Sequence, residues 1–463
     1  MGVVTLNLTG LRWIWWIHAH PSLPYPRLRK SVLLRKFFED MGPVFIKFGQ
    51  IIASSPGLFP DVISTEFKRC LDRVPPFPAH QALAILKDEL GRPVGEVFTD
   101  VDLAPIAAAS IAQVHGATLQ DGTAVVIKIQ RPGIDETAQA DLWFMRRSAR
   151  ILERFSVHAR IANLTGMVED FGSTLAQELD FLQEAAHMEE FNSIMDQHTI
   201  DGVLAPRIFR EWTSSRVLVM ERIEGFKADD FESAKSHDFD AEPYIRTSLR
   251  TWLLTVLLHG FFHGDVHAGN LMFCPNTRRI VFLDFGIIGR FTTRERDLVL
   301  RYILAFTNHD FREVAQTIID VGSAPPDIDM DAFVADLERV YAPIMETRMG
   351  DIKPMQVLPG LIRNAREFGV TLPREFLLII KQLLYFDRYA RLGAPNLNVF
   401  TDLHLIDFLF TPAAAEAGID LQDLMMRIPA MQARLQKPET RPVAKKSAVE
   451  KPVERSVDEL WTN

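Results

Sequence analysis

The chain has 463 residues, enough for two or three domains or for one large enzyme with extensions. Apolar residues make up 47% and charged residues 24%, ordinary values for a folded chain. The formal charge of -9 argues against nucleic acid as a main partner. Only two cysteines occur, Cys70 and Cys274, too far apart for a metal-ligand spacing; this points to a reducing, cytoplasmic setting without a disulfide framework.

Met1 to His20 lacks the small-residue cleavage site of a signal peptide. It carries LRWIWWIHAH, with Arg27, Arg29, Lys30, Arg35 and Lys36 following. Tryptophans beside cations suit a peripheral contact with an anionic membrane; a short helix packed on the protein's own body is the alternative. No stretch reaches the roughly 18 to 20 apolar residues of a membrane span, so no transmembrane segment is predicted.

Ser31 to Phe38 begins a helical region, with Pro43 as a break or a new first turn. In MGPVFIKFGQIIASSPGLFP, Lys47 and Gln50 share a helix face, and Phe45, Phe48, Ile51 and Ile52 supply the apolar side. A solvated edge is the plain alternative for those two polar residues. Asp61 to Leu71 and Pro78 to Leu90 are two further helices, the second ended by Gly91.

The character changes near Phe98. Small residues Ala107, Ala108, Ala109 and Ser110 precede two β-like runs around Asp121-Gly122, a strong hairpin signal. The second run, Ala124 to Gln130, carries Lys128 among Val125, Val126, Ile127 and Ile129. A lysine there needs an anion, or else serves as an edge-strand gatekeeper. Ile134 to Phe155 and Leu164 to Asp196 have helical patterns. On the second, Asp180 and Glu184 share a face at i,i+4 while Glu178 points elsewhere, so two lysines could be paired with two different carboxylates. Arg207 to Trp212 and Arg216 to Glu221 form a second expected hairpin, and Ile223 to Phe226 a short connection.

The densest chemistry lies in Leu257 to Arg290. An apolar run, Trp252 to Phe262, ends in a cluster holding His263, Asp265, His267 and Asn270. Two short strands, Leu271 to Phe273 and Ile280 to Leu283, then deliver Asp284-Phe285-Gly286. Asp265, Asn270 and Asp284 are expected at one loop-rich edge, where oxygen ligands suit Mg²⁺ bridging phosphates. Helices follow at Thr293 to Phe306, Phe333 to Met345, Leu358 to Phe368 and Arg374 to Tyr389, and the last 30 or so residues read as a disordered tail.

In this order the chain resembles the ABC1/ADCK/UbiB (AarF-like) family of atypical kinase-like proteins. The marks are KFGQ (Lys47 to Gln50), AAAS (Ala107 to Ser110), VVIK ending at Lys128, QELD (Gln177 to Asp180), Glu184, HGDVHAGN (His263 to Asn270) and LDFG ending at Gly286. The resemblance covers about Ser31 to Tyr389 and implies an α+β, two-lobed protein-kinase-like fold behind a helical KxGQ extension. Domains are accordingly expected at 1–97, 98–225, 226–415 and 416–463. It implies that Lys128 pairs with Glu184 beside the phosphates of ATP or ADP, and that Ala107, Ala108, Ala109 and Ser110 replace a glycine-rich loop. It also implies that Met220, Glu221 and Ile223 lie in the hinge facing adenine. Lys47 would reach Glu178, with Gln50 and Gln177 in support, Asp265 would be the catalytic-loop aspartate, and Asn270 and Asp284 would hold Mg²⁺ or Mn²⁺. Implied partners are an isoprenoid lipid or quinone precursor and quinone-biosynthesis proteins.

Two departures qualify this. The C-terminal membrane spans frequent in quinone-biosynthesis members are not visible, and no Ala-Pro-Glu-like segment follows Gly286. The leading expectation is a Mg²⁺-dependent ATPase or atypical kinase acting on a small molecule or lipid. The alternatives are a phosphotransferase of the aminoglycoside or choline kinase type, which needs no lysine from an N-terminal extension, and a nucleotide-gated scaffold without catalysis.

Overall fold

The structure, a computed structural model, describes residues 30–54, 61–70, 75–156, 160, 163–230, 239–322, 324–346, 365, 367–370, 372–394, 397 and 402–419. The tryptophan-rich start, most of Leu358 to Phe368 and the expected disordered tail lie outside these residues.

In chain order the main helices are α1 (Lys30–Met41), α2 (Pro43–Ser54), α3 (Asp61–Phe67) and α4 (Ala79–Leu90), before strands β1 (Phe98–Val101), β2 (Ala107–Ala108), β3 (Ala112–Leu119) and β4 (Ala124–Gln130). Next come α5 (Ile134–Phe155), α6 (Leu164–Glu178), α7 (Phe181–Gln197), β5 (Val203–Leu204), β6 (Val217–Glu221), β7 (Phe226–Lys227), α8 (Glu242–His259) and β8 (Phe261–His263). The chain continues through β9 (Leu271–Cys274), β10 (Arg279–Phe282), β11 (Ile288–Arg290), α9 (Thr293–Thr307), α10 (Phe311–Val321), α11 (Met330–Glu346) and α12 (Arg374–Gly393). The fold is α+β, with a helical N-terminal region ahead of a β-sheet core.

The chain divides into two compact units. One runs through Glu190 and adds Pro206–Ile223 and Asp284–Ile287; the other takes Phe191–Ala205, Glu224–Leu283 and the residues from Ile288 onward.

The first unit is built on an antiparallel sheet ordered β1-β3-β4-β6, with β2 also on β3. The β3–β4 turn is the Asp121-Gly122 pair, where Gly122 takes φ +85° and Asp121 accepts from the Thr123 amide. Strand period sorts β4 into two faces. Val125, Ile127 and Ile129 enter a core with Ile85 and Leu86 of α4 and with Phe98, Val217 and Val219. Val126, Lys128 and Gln130 take the other face. The sheet is thus covered by α4 on one side and leaves its lysine for the other.

The second unit has a four-stranded sheet, β5-β10-β9-β7, and a two-stranded ribbon, β11-β8. β9 and β10 are the antiparallel pair expected around residues 275–279. α8 is buried along most of its length, and its Trp252 Nε1 donates to the His263 carbonyl at 3.1 Å. Among the described residues no helix is long and apolar enough to cross a membrane.

Three local expectations need correction. The helix expected over Leu164 to Asp196 is two helices, broken at Leu179-Asp180. Asp180 receives the Leu182 amide and the Gln183 side chain, which starts a fresh helix. The first arm of the second hairpin is not a strand: Arg210–Trp212 is a 3-10 turn, and pairing is confined to a bridge between Ile208 and Met220. The helix expected to reach Leu71 stops at Phe67.

Candidate functional site

In the first unit, Lys128 donates to both carboxylate oxygens of Glu184 at 2.8 Å and lies 3.3 Å from Asp284 Oδ1. Phe181 of α7 places its ring 5.1 Å from the same ammonium. Glu184 is nearly buried, whereas the Asp284 side chain is 51% exposed. Burial works against the Lys128 charge, but the Asp284 and Glu184 carboxylates outweigh it and hold the ammonium above its usual range. Burial pushes the Glu184 carboxyl up to about 7; Lys128 pulls it down, and the Asp284 and Glu178 charges push it up.

A second ion pair lies in the same unit. Lys47 Nζ is 2.9 Å from Glu178 Oε2, with the glutamate buried. The packing explains the reach. Phe48 sits on Phe171 of α6, ring centroids 4.9 Å apart, and residues 171 and 178 are two turns apart on one helix face. The aromatic contact and the ion pair therefore secure α2 to the same side of α6. Gly49 makes the neighbouring approach possible, since a Cβ there would stand 2.9 Å from Cys70 Sγ and 3.0 Å from Phe67 Cδ1.

The break at Leu179-Asp180 separates the two glutamates, with Glu178 ending α6 and Glu184 in the first turn of α7. Gln130, two residues beyond Lys128 on the same strand face, donates to the carbonyls of Leu179 and Ser215. One strand thus supplies both the lysine and the amide that braces the break.

Ala107 pairs with Val114, and Val114 with Lys128, so the alanine loop is two strands from the lysine in one cross-strand row. Ala109 closes the loop through its amide to the Ala112 carbonyl at 2.8 Å, and Ser110 is buried. Met220 and Glu221 end β6 opposite Val126 and Val125, and Ile223 is the last residue of that segment of the unit.

The second unit holds the His263–Asn270 segment. His263 Nδ1 accepts from the Asp265 amide at 3.1 Å, so its proton belongs on Nε2, which donates to the Leu283 carbonyl at 2.8 Å. Asn270 Nδ2 donates to the Asp265 carbonyl at 3.0 Å, and the Asn270 carbonyl accepts from Leu283, the residue before Asp284. Lys381 of α12 donates to Asp265 Oδ1 at 3.0 Å. Its neighbour Gln382, fully buried, accepts from the Val266 amide and donates to the Gly264 carbonyl. The aspartate's main chain and carboxylate are thus held from one turn of α12. Lys381 and Gln382 were not among the residues singled out by sequence; a lysine in an amphipathic helix looks like a solvated edge.

A family model for the ABC1 atypical kinase-like domain matches residues 69–318. The chain belongs to this family. An uncharacterized aarF domain-containing protein kinase of Arabidopsis thaliana, chloroplastic, is 39% identical over 81% of this chain and 74% of its own length. A probable protein kinase UbiB of Azotobacter vinelandii is 35% identical, over 84% of this chain and 74% of the relative. Among solved structures, Rv3197 of Mycobacterium tuberculosis in complex with erythromycin aligns with a TM-score of 0.49 and 24% identity, covering 69% of this chain and 80% of that one. The ABC1 match spans α4 through α9 and most of α10, so every motif from the alanine loop to LDFG falls inside it, while KFGQ precedes it.

Proposed function

We propose that this ABC1-family chain binds ATP with Mg²⁺ and either hydrolyses it or passes its terminal phosphoryl group to a small or lipid acceptor in quinone or isoprenoid-lipid metabolism. The carrying observation is Lys128, held by both oxygens of buried Glu184 with Asp284 beside it. A strand lysine fixed in this way is suited to polyphosphate, because Glu184 orients the ammonium through two donors and the third, on half-exposed Asp284, can turn to a phosphate oxygen. ADP binds at the same residues, and Mn²⁺ substitutes for Mg²⁺ in the same oxygen-donor chemistry.

Asp284 offers a carboxylate oxygen and Asn270 an amide oxygen, each a hard donor of the type that suits Mg²⁺. Among the described residues no three His, Cys, Asp or Glu side chains form a metal cluster. When bound, such a metal would neutralise charge on the nucleotide phosphates. The protein's own share is to aim Lys128 at phosphate and to orient Asp265, through Lys381, toward an acceptor hydroxyl or water. The Lys47–Glu178 ion pair is assigned to the same machinery.

Calorimetry of the full chain with ATP or ADP and Mg²⁺ tests this reading, and absence of binding with either Mg²⁺ or Mn²⁺ would sink it. Asp284→Asn should weaken Mg²⁺-nucleotide affinity by ~10-fold or more while leaving melting nearly unchanged, because a half-exposed ion pair contributes under about 1 kcal/mol. Asp284 sits at φ +54°, a conformation that asparagine also accepts, so the backbone has no reason to move. Unaltered affinity in that variant removes Asp284 from the metal.

Lys381→Met should lower ATP turnover by ~10-fold or more with little change in nucleotide affinity, as expected for a group that orients a catalytic carboxylate. If affinity falls and turnover at saturation does not, Lys381 contacts nucleotide instead.

A further inference from the structure

The outer face of α5 takes no part in either ion pair. Among the described residues its Phe155 is the most exposed large apolar side chain, at 82%, and Ile151, Leu152 and Trp143 on the same helix are each more than half exposed. The buried side of α5 is formed by Ala138, Met145 and Ala149, so the exposed set is a second apolar surface. Helical spacing puts Trp143, Arg147, Ile151 and Phe155 in one row at i,i+4, with Arg150 and Arg154 alongside.

Charge distinguishes this surface from a chance exposure of core-like residues. From Trp143 to Phe155 there are four arginines and one glutamate, in a chain whose formal charge is -9. The single acid is turned away from the face, because Glu153 accepts from the Thr165 amide at 2.8 Å and hydroxyl at 2.7 Å. Arg147 lies 5.8 Å above the Trp143 ring, and Arg150 has only a loose partner, Glu169 at 3.9 Å, with both side chains mostly exposed.

We infer that this face of α5 is a docking surface for an anionic lipid bilayer. Ile151, Leu152 and Phe155 would enter the interface, with Trp143 at its edge and Arg147, Arg150 and Arg154 on the headgroups. The charge complementarity selects this occupant. A row of aromatic and aliphatic tips bordered by arginines needs only negative charge and an apolar layer below it, and no matched pocket. A second copy would bring the same arginines against each other, which disfavours self-association through this face. The inference stands apart from the nucleotide reading, since no α5 residue named here touches Lys128, Glu184 or Asp284.

The test uses the full chain and two variants, Ile151→Ser/Leu152→Ser/Phe155→Ser and Arg147→Gln/Arg150→Gln/Arg154→Gln. Each is co-sedimented with vesicles of phosphatidylcholine alone or mixed with phosphatidylglycerol. The parent should bind only the mixed vesicles and release as salt rises from about 50 to 300 mM. Each variant should bind at least ~10-fold more weakly, with unchanged melting and Mg²⁺-nucleotide affinity. Hydrogen exchange should show protection of residues 143–155 by the mixed vesicles. Equal vesicle binding by parent and variants, or protection elsewhere such as at residues 1–36, overturns the assignment. No vesicle binding by the parent, or a parent dimer that the serine variant dissociates, overturns it too and makes the face a protein contact.

Discussion

Lys128→Met abolishes measurable Mg²⁺-nucleotide binding and lowers stability by up to ~3–5 kcal/mol at alkaline pH, the usual consequence of leaving a buried charge without its partner. Methionine keeps the length and apolar stem of the side chain but not its ammonium, so Glu184 remains in a buried site with Asp284 nearby. Its only relief is protonation. The native carboxyl already lies at about 7, above its ordinary value of 4.5, and losing the lysine raises it further. A carboxyl raised in the folded state contributes stability below its unfolded pKa and loses it as pH climbs through the folded value. The deficit of the variant should therefore be small near pH 5 and widen through pH 7 to 8. Urea unfolding at both ends of that range reads it directly. A deficit that does not depend on pH would mean that lost packing, not Glu184, is responsible. Full nucleotide affinity in the folded variant would remove Lys128 from the site.

Lys47→Ala comes next in size. It strands Glu178, which is buried and has its Oε2 on the lysine, at a cost of ~3–5 kcal/mol if the charge is left uncompensated. Glu178→Ala should be milder for folding, because Lys47 is more exposed and can turn to water. The double variant should be less destabilised than the sum of the singles by ~1–3 kcal/mol, the range for residues in direct contact. Nucleotide preference and ATP turnover should shift together in all three variants if the pair serves the site. Additive stability effects would contradict the contact. A coupled stability effect with unchanged nucleotide behaviour would leave the pair as packing only and reopen the simple phosphotransferase reading.

Much of this was legible in the sequence, for reasons that differ by residue. Lys128 stood out because a strand of β-branched residues offers a lysine no water on its buried faces, and its partner was sought on the next acidic helix. The hairpin announced itself through the Asp121-Gly122 pair between two apolar runs, and Gly122 does take a positive φ. The break between Glu178 and Glu184 was missed because residues 164–196 contain no proline and the apolar pattern runs on. A signal was present in Asp180-x-x-Gln183, the spacing of a helix start whose side chains do bond. Lys381 and Gln382 had no such local sign. They meet Asp265 and its neighbours across more than a hundred residues of chain, and only folding makes that pairing visible. The crossings between units were equally hidden, since Asp284–Ile287 and Phe191–Ala205 each leave their sequence neighbours for the other body.

The joint at Leu179-Asp180 also bears on how such a chain can change over generations. An insertion or deletion of one residue within α6 would turn Glu178 by about 100° about the helix axis, yet α7 restarts at its own cap and Glu184 would keep its bearing. Loss of α1 to α3 would likewise leave one glutamate to be replaced while the lysine on β4 kept its mate. The Lys128–Glu184 pair is therefore mechanically independent of the N-terminal helices, whereas the Lys47–Glu178 pair stands or falls with them.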